Sequence, residues 1–355
     1  MSAAEVNHLG QLGQGQPPEA AAGSAAEPLR TPLEQPLAFT LRVPATSANL
    51  GPGYDSMGLA LELRDEIEVE ARPRKNPAQP AVDVVVVGEG AADLPTDASH
   101  LVVAVVEKIL AAKGYSLPDL SVRATNVIPH SRGLGSSAAA IVTAVLTADQ
   151  LLRASAEGIG LSDDEKLQIG SRIEGHPDNY VPALRGGVGI SWESTPEGDG
   201  ARRFRTAALE PHPELTAIVA IPGFVQSTEA ARGLLPPTVS HTAAARNSAR
   251  AALLVHALTQ DPDLLLEATE DSLHQEYRRP AFPAAMALVD SLRAAGFPAM
   301  ISGAGPTVLT LVTTERAAAV SQHIEAWGRQ RDTADTFRPV NLLLARSGAT
   351  VESSP

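Results

Sequence analysis

From Leu37 onward, apolar and polar positions alternate. Phe39, Leu41 and Val43 are separated by Thr40 and Arg42; Leu59, Leu61 and Leu63 repeat the spacing, and Ile67 and Val69 stand between Glu66, Glu68 and Glu70. A period of two predicts strands with one buried face. Val82 to Val87 is an apolar run of strand length, and Leu120 to Ile128 reads as another strand. Between them the period changes. Leu101, Val102, Val105, Val106, Ile109 and Leu110 recur at helical spacing, which predicts a helix from Ser99 to Lys113 stopped by Gly114. A second helix carries Ile141, Val142, Val145 and Leu146, with Ser136 or Ser137 as its N-cap. Ser162-Asp-Asp-Glu165 is a capping box that opens a third, which buries Leu167, Ile169 and Ile173 and ends at Gly175.

The second half has its own strands and helices. Leu215 to Ile221 is a strand, helices follow at about Thr242 to Leu258, Pro262 to Gln275 and Pro283 to Ala295, and two apolar strands flank Gly303 and Gly305. A helix from Glu315 to Arg329 and a strand from Val340 to Ala345 complete the series. The stretch STPEGDGARR at 194–203 has linker composition, so the expected division is a first domain at 37–195 and a second at 196–348. Residues 1–36, rich in Ala, Gly, Gln, Pro and Glu, and residues 349–355 are expected to be disordered tails.

Composition narrows the function classes. At 355 residues the chain can hold two cored domains. Its net charge of -13 argues against nucleic acid or an anionic membrane as a partner. It has no cysteine, hence no disulfide, thiolate chemistry or Cys-bound metal. No apolar run is long enough to span a bilayer, and the N-terminus lacks the pattern of a secretory or transit signal. A soluble, cytoplasmic protein is the expectation.

Four loop strings interrupt the pattern with chemistry. In PHSRGLGSSA, Pro129 to Ala138, the glycines Gly133 and Gly135 allow a tight turn, and the following helix points its free N–H groups and positive dipole end at the loop. Such a loop suits a phosphate, although taken alone it could equally be a capped glycine turn; it lacks the lysine of GxxxxGK[ST]. VPATSANLGPGYDSMG, residues 43–58, sets Asn49 and Asp55 on a turn bracketed by prolines. EGHPDN crowds Glu174, His176, Asp178 and Asn179 around a helix end, where an Asp-Asn turn is the plain alternative. ISGAGPTVLTL, residues 301–311, places Gly303 and Gly305 at the tip of a hairpin.

Taken in chain order, the strings resemble those of the GHMP kinases, and VPATSANLGPGYDSMG and EGHPDN, with STxxxRxxLP from Ser227 and EYR at 276–278, resemble the homoserine kinases among them. The resemblance covers the chain from Leu37 to Ala345. It implies an α+β fold of two domains, an N-terminal mixed domain holding the nucleotide loop and a C-terminal ferredoxin-like split βαβ domain, with the active site between them. It implies ATP and L-homoserine as substrates, Mg²⁺ as cofactor and a homodimer. Residues Pro129, His130, Ser131, Arg132, Gly133, Leu134, Gly135, Ser136, Ser137 and Ala138, with Gly303 and Gly305, would bind ATP, and Ser137 and Glu174 would hold the metal. Asn49, Asp55, His176, Asn179, Thr228, Arg232 and Arg278 would line the substrate pocket, with Asn49, Asn179 and Arg232 nearest the chemistry.

The residue types suit such a substrate. A zwitterion with a primary hydroxyl needs an anion for the ammonium, for which Asp55 serves, and guanidinium forks for the carboxylate, for which Arg232 and Arg278 serve. Some GHMP kinases place an aspartate–lysine pair as base where this chain has Asn179, so the proton would leave to phosphate or solvent. At the point where relatives carry an adenine-contacting asparagine this chain has His100, read as a surface histidine. A kinase for another small hydroxylated metabolite, or a catalytically silent ligand-binding regulator of the same fold, are the alternatives.

Overall fold

The computed structural model describes residues 29–76, 79–195, 202–223, 233–331 and 336–353. Among these residues, two sheets organise the chain. The first contains β1 (Leu37–Ala48), β2 (Met57–Arg72), β3 (Val82–Gly88), β4 (Asp119–Asn126), β5 (Val188–Glu193), β6 (Phe204–Leu209) and β11 (Thr350–Ser353), in the order β11-β1-β2-β4-β3 with β5 joining β2 and β6. Alternation sets its faces: Ile67, Val69 and Ala71 of β2 are buried, while Arg42 of β1 reaches Glu66 and Glu352 at 2.9 Å on the wet side. The β3–β4 pair is parallel, which requires a crossover, and helix α1 (Leu101–Ala112) provides it.

The second sheet runs β10 (Phe337–Leu343), β7 (Leu215–Pro222), β9 (Val308–Thr313), β8 (Ala299–Ile301), all antiparallel. With α8 (Pro283–Ala294) before β8 and α9 (Ala317–Gly328) before β10, this is the split βαβ order 4-1-3-2 of a ferredoxin-like domain. The fold is the expected α+β pair of domains. Between β4 and β5 lie α2 (Ser136–Arg153), α3 (Asp163–Glu174) and α4 (Pro177–Arg185), and α5 (His241–Thr259) follows β7. The capping box at Ser162 forms as read: Ser162 Oγ accepts from the Glu165 N–H, and Glu165 accepts from the Ser162 N–H at 2.8 Å.

Several boundaries differ from expectation. The segment 194–203 joins β5 to β6, antiparallel neighbours in the first sheet, so the boundary at 195/196 moves beyond Leu209. Linker composition and hairpin-loop composition are the same, and only the pairing tells them apart. The end is not a tail either, because Thr350–Ser353 pairs with Phe39 to Arg42 of β1. At the other end Leu33 is buried, and Arg30 exchanges backbone hydrogen bonds with Gly114 and Ser116, so residues 29–36 belong to the fold. The helix expected from Pro262 to Gln275 breaks into a 3-10 turn (Pro262–Leu264) and the short helices α6 (Leu265–Ala268) and α7 (Gln275–Arg278). Asp271 intervenes: its carboxylate accepts from the N–H groups of Leu273, His274 and Gln275, competing with the helical pattern.

Candidate active site

The loop at 129–135 lies where both sheets meet. Gly135 adopts φ +72 and is itself the N-cap of α2, with no side-chain cap. The expected serine cap is therefore absent. Because glycine takes the cap, Ser136 and Ser137 stand in the first helical turn, and Ser137 Oγ donates to Glu174 Oε2 at 3.0 Å. Glu174 is the last residue of α3, and Gly175 (φ +86) ends that helix and turns the chain. Two residues expected as metal ligands are thus brought together beside the phosphate loop.

The second glycine loop folds onto the first. A Cβ on Gly133 (φ +78) would lie 2.3 Å from the Ser302 carbonyl and 2.9 Å from that of Gly305, so the two loops meet backbone to backbone. Ser302 donates to the Gly133 carbonyl (2.5 Å) and shares a hydrogen bond with Ser47 of β1 (2.8 Å), while Thr307 N–H donates to the Arg132 carbonyl. Arg132 Nε donates to the Pro222 carbonyl, and its guanidinium faces Glu89 at 3.6 Å. Alongside, residues 88–93 with Asn126 and Val127 form an open cleft of about 510 Å³. Burial holds the His130 imidazole below its ordinary pKa.

Asp65 of β2 delivers the chain into this loop by accepting the N–H groups of Val127 (2.7 Å) and Ile128 (2.9 Å). Burial pushes its carboxyl up to about 6, against the pull of those two hydrogen bonds. The folded state therefore holds this proton more tightly than the unfolded chain, and the associated stability is full below about pH 3.8 and lost as pH rises through 6. The difference amounts to about 3 kcal/mol at most. Urea unfolding of wild type and Asp65→Asn from pH 4 to 7.5 should show the wild type losing stability that the variant keeps; parallel pH profiles would refute the assignment.

The loop at 49–56, expected to face the substrate, is held by its own asparagine. Asn49, at φ +68 and 4% exposed, donates from Nδ2 to the Gly303 carbonyl (2.9 Å) and accepts at Oδ1 from the Asp55 N–H (2.9 Å). Both amide atoms thus engage backbone, and Asn49 ties Asp55 to the second glycine loop. Asp178 and Asn179 stand in the first turn of α4, with His176 as N-cap and Pro177 at N1, so the plain Asp-Asn turn does not form. Proline followed by an acid in the first turn is a helix-start signal that could have been read from the sequence. Asn179 Oδ1 accepts from Thr46 Oγ1 at 2.9 Å, and Thr46 N–H donates to the Leu134 carbonyl.

Asp178, absent from the expected site residues, is 2% exposed and stands 2.5 Å from His176 Nδ1. One ligating atom each from Asp55, His176 and Asp178 lie within 4.8 Å of one another. An acid in the first turn of a helix is common enough that its sequence position carried no signal; burial singles it out. Arg278, at the end of α7, is 1% exposed, with its guanidinium 5.5 Å from the Tyr54 ring centroid. Arg279 beside it pairs with Glu276 and Asp290 at the surface, as an ordinary solvated arginine. His100 corrects an expectation: it is 6% exposed, burial keeps it neutral by lowering its pKa, and Nδ1 has no hydrogen-bond partner among the described residues. Thr228 and Arg232 lie outside the described residues.

The family model for the GHMP kinases N terminal domain matches residues 100–187, and that for the GHMP kinases C terminal matches 250–330. A homoserine kinase of Rhodococcus erythropolis is 48% identical over 278 residues, covering 78% of this chain and 87% of the relative. One from Streptomyces avermitilis is 45% identical over 315 residues, covering 88% and 99%. The crystal structure of homoserine kinase from Cytophaga hutchinsonii superposes with a TM-score of 0.72 at 23% identity, covering 88% of this chain and 97% of that one, and shows the shared fold. No helix among the described residues is long and apolar enough to cross a membrane. By its identity to curated relatives over most of its length, the chain belongs to the homoserine kinases of the GHMP kinase superfamily.

Proposed function

We infer that this protein is a homoserine kinase, transferring the γ-phosphoryl group of ATP to the hydroxyl of L-homoserine to give O-phospho-L-homoserine and ADP on the route to threonine. The observation that carries the reading is Thr46, which bonds through its N–H to the phosphate loop and through Oγ1 to Asn179. One buried strand thereby spaces the nucleotide loop from the acceptor site.

The ammonium of homoserine fits the convergence of Asp55, His176 and Asp178, two carboxylates and an imidazole that suit a cation with three N–H donors. Its carboxylate would take the planar fork of Arg278, and by family resemblance that of Arg232, with Thr228 lining the same end. The Oδ1 of Asn179 accepts from Thr46, so the Nδ2 end is the one offered to the substrate hydroxyl oxygen. An amide nitrogen donates and cannot take a proton. In this reading the hydroxyl oxygen forms its bond to the γ-phosphorus as the bridge to ADP breaks, and the proton passes to phosphate or solvent. The rate then derives from in-line positioning and from backbone N–H groups at 133–138 facing phosphate charge.

Ser137 and Glu174 offer a hydroxyl and a carboxylate beside the phosphate loop, the hard oxygen donors that Mg²⁺ takes. They would hold the ion, which supplies neutralisation of charge on the β- and γ-phosphates. The Asp55–His176–Asp178 cluster, which includes a ring nitrogen and sits on the substrate loop, suits the ammonium better than Mg²⁺. A cytoplasmic homodimer completes the reading by family resemblance.

ADP release from Mg-ATP with L-homoserine, L-serine, L-threonine, mevalonate and galactose tests the assignment. Homoserine should exceed mevalonate and galactose, which lack the ammonium, by about 10⁴-fold in kcat/KM, and L-serine and L-threonine, which carry both charged groups but bear the hydroxyl one carbon nearer to them, by about 10- to 200-fold. Arg278→Met should raise the KM for homoserine by about 10- to 100-fold and leave the carboxylate-free analogue 3-aminopropan-1-ol unaffected. Preference for another alcohol would overturn the substrate assignment, and an unchanged homoserine KM would overturn the role of Arg278.

A further inference from the structure

His274 stands just before α7, with its side chain fully buried. Nε2 lies 2.8 Å from the Gly51 carbonyl oxygen and 3.6 Å from a carboxylate oxygen of Asp271. Both neighbours only accept, so Nε2 must carry the hydrogen. Burial holds the ring below its ordinary pKa and hence neutral, which leaves Nδ1 as a lone pair. That lone pair faces Arg278 Nη1 at 3.4 Å. The Tyr54 ring packs against both, its centroid 5.1 Å from that of His274 and 5.5 Å from the Arg278 guanidinium.

These contacts join two elements that only the fold brings together. Gly51, Tyr54 and Asp55 belong to the substrate-side loop of the first domain, and His274 and Arg278 to a turn of the second. Asn247 of α5 reinforces the junction, donating to the Pro52 carbonyl (2.8 Å) and accepting from the Ser272 N–H (3.1 Å). Asp271 caps the turn from below.

We propose that His274 is a positioning residue for the carboxylate end of the substrate: its N–H fastens the Gly51 loop while Nδ1 orients the Arg278 guanidinium toward the carboxylate. The inference rests on the reading of Arg278 as the carboxylate partner. It adds a specificity determinant that touches no substrate atom and sets the distance between the ammonium site at Asp55 and the carboxylate site at Arg278.

Three variants in the full-length protein separate the possibilities. His274→Leu should raise the homoserine KM by about tenfold, the worth of one hydrogen bond to a charged group, with kcat and the ATP KM within about threefold and 3-aminopropan-1-ol turnover unchanged. His274→Asn, whose Oδ1 can replace Nδ1 as acceptor, should recover most of that loss, and His274→Gln, which reaches toward Gly51 instead, should not. In an Arg278→Met background His274→Leu should add less than about twofold, because residues acting as a unit are not additive. Equal losses with both substrates, equal behaviour of the Asn and Gln variants, or multiplying effects in the Arg278→Met background would each overturn the proposal. If the Leu variant does not fold, the Asn and Gln pair decides. An Arg278→Met enzyme with an unchanged homoserine KM would instead sink the carboxylate reading beneath it, whereas a raised KM there with none in His274→Leu would sink the positioning role alone.

Discussion

Replacing Gly135 with alanine is expected to lower kcat by about 100-fold or more, the scale seen when positioned donors are displaced, while far-UV circular dichroism stays that of the wild type. The reason is local and steric. Gly135 sits at φ +72, where an L side chain costs about 1–2 kcal/mol. Its Cβ would stand 1.9 Å from Thr46 Oγ1 and 3.3 Å from the Thr46 backbone nitrogen. Thr46 is fully buried in β1 and has no room to retreat without moving its hydroxyl off Asn179. The substitution therefore disturbs the phosphate loop and the acceptor site together. Gly328→Ala, where nothing lies within 4 Å of the added methyl, is the matched control and should be silent. A Gly135→Ala enzyme within threefold of wild type would show that the Thr46 spacer does not set the reaction geometry.

The second large effect is expected at Glu174. Glu174→Gln keeps the shape of the side chain and the hydrogen bond from Ser137 but removes the charge. If this carboxylate holds Mg²⁺ beside the phosphates, kcat should fall by about 10²–10³-fold, and the Mg²⁺ concentration needed for half-maximal rate should rise. Ser137→Ala removes a neutral ligand and should cost less, about tenfold. A titration of rate against Mg²⁺ at saturating ATP distinguishes metal binding from a structural role. A slow enzyme with an unaltered Mg²⁺ requirement would mean that Glu174 only props Ser137, and a fully active one would remove it from the site.

The two expectations differ in how far they could be drawn from the chain alone. Gly135 was visible as part of a glycine pair before a helix, and Glu174 as a carboxylate at a helix end. What could not be read was that Gly135 touches Thr46, 89 positions earlier in the chain; that Ser137 and Glu174 come together was expected only from the family resemblance. Local strings disclose which groups a segment offers, because turn chemistry and capping depend on neighbours in sequence. They do not disclose the partner across the site.

The same division holds for the elements. The strands of β1 and β2 and helix α1 were legible because each has an apolar period that matches its own geometry, and the capping box of α3 because its polar spacing is local; the ferredoxin-like order of the second domain was expected only from the family resemblance. The boundary at 195/196 failed because a hairpin loop and a linker share a composition, and pairing of β6 with β5 decides between them. The C-terminal strand was missed for a similar reason: four residues at the end of a chain carry no period, and β1 supplies the edge that makes Thr350–Ser353 a strand.

The order of the four loop strings and the family resemblance they carry are properties of local sequence, since each string depends on residue types at short spacing. Tertiary structure alone decided that Asp178 is buried beside Asp55 and His176, that Asn49 holds the loop, that His100 is inside, and that His274 stands behind Arg278. These are facts of burial and of contacts between residues far apart in the chain. Burial is what selects a tautomer, shifts a pKa and confines a guanidinium, and it comes into being only when the two sheets close on one another.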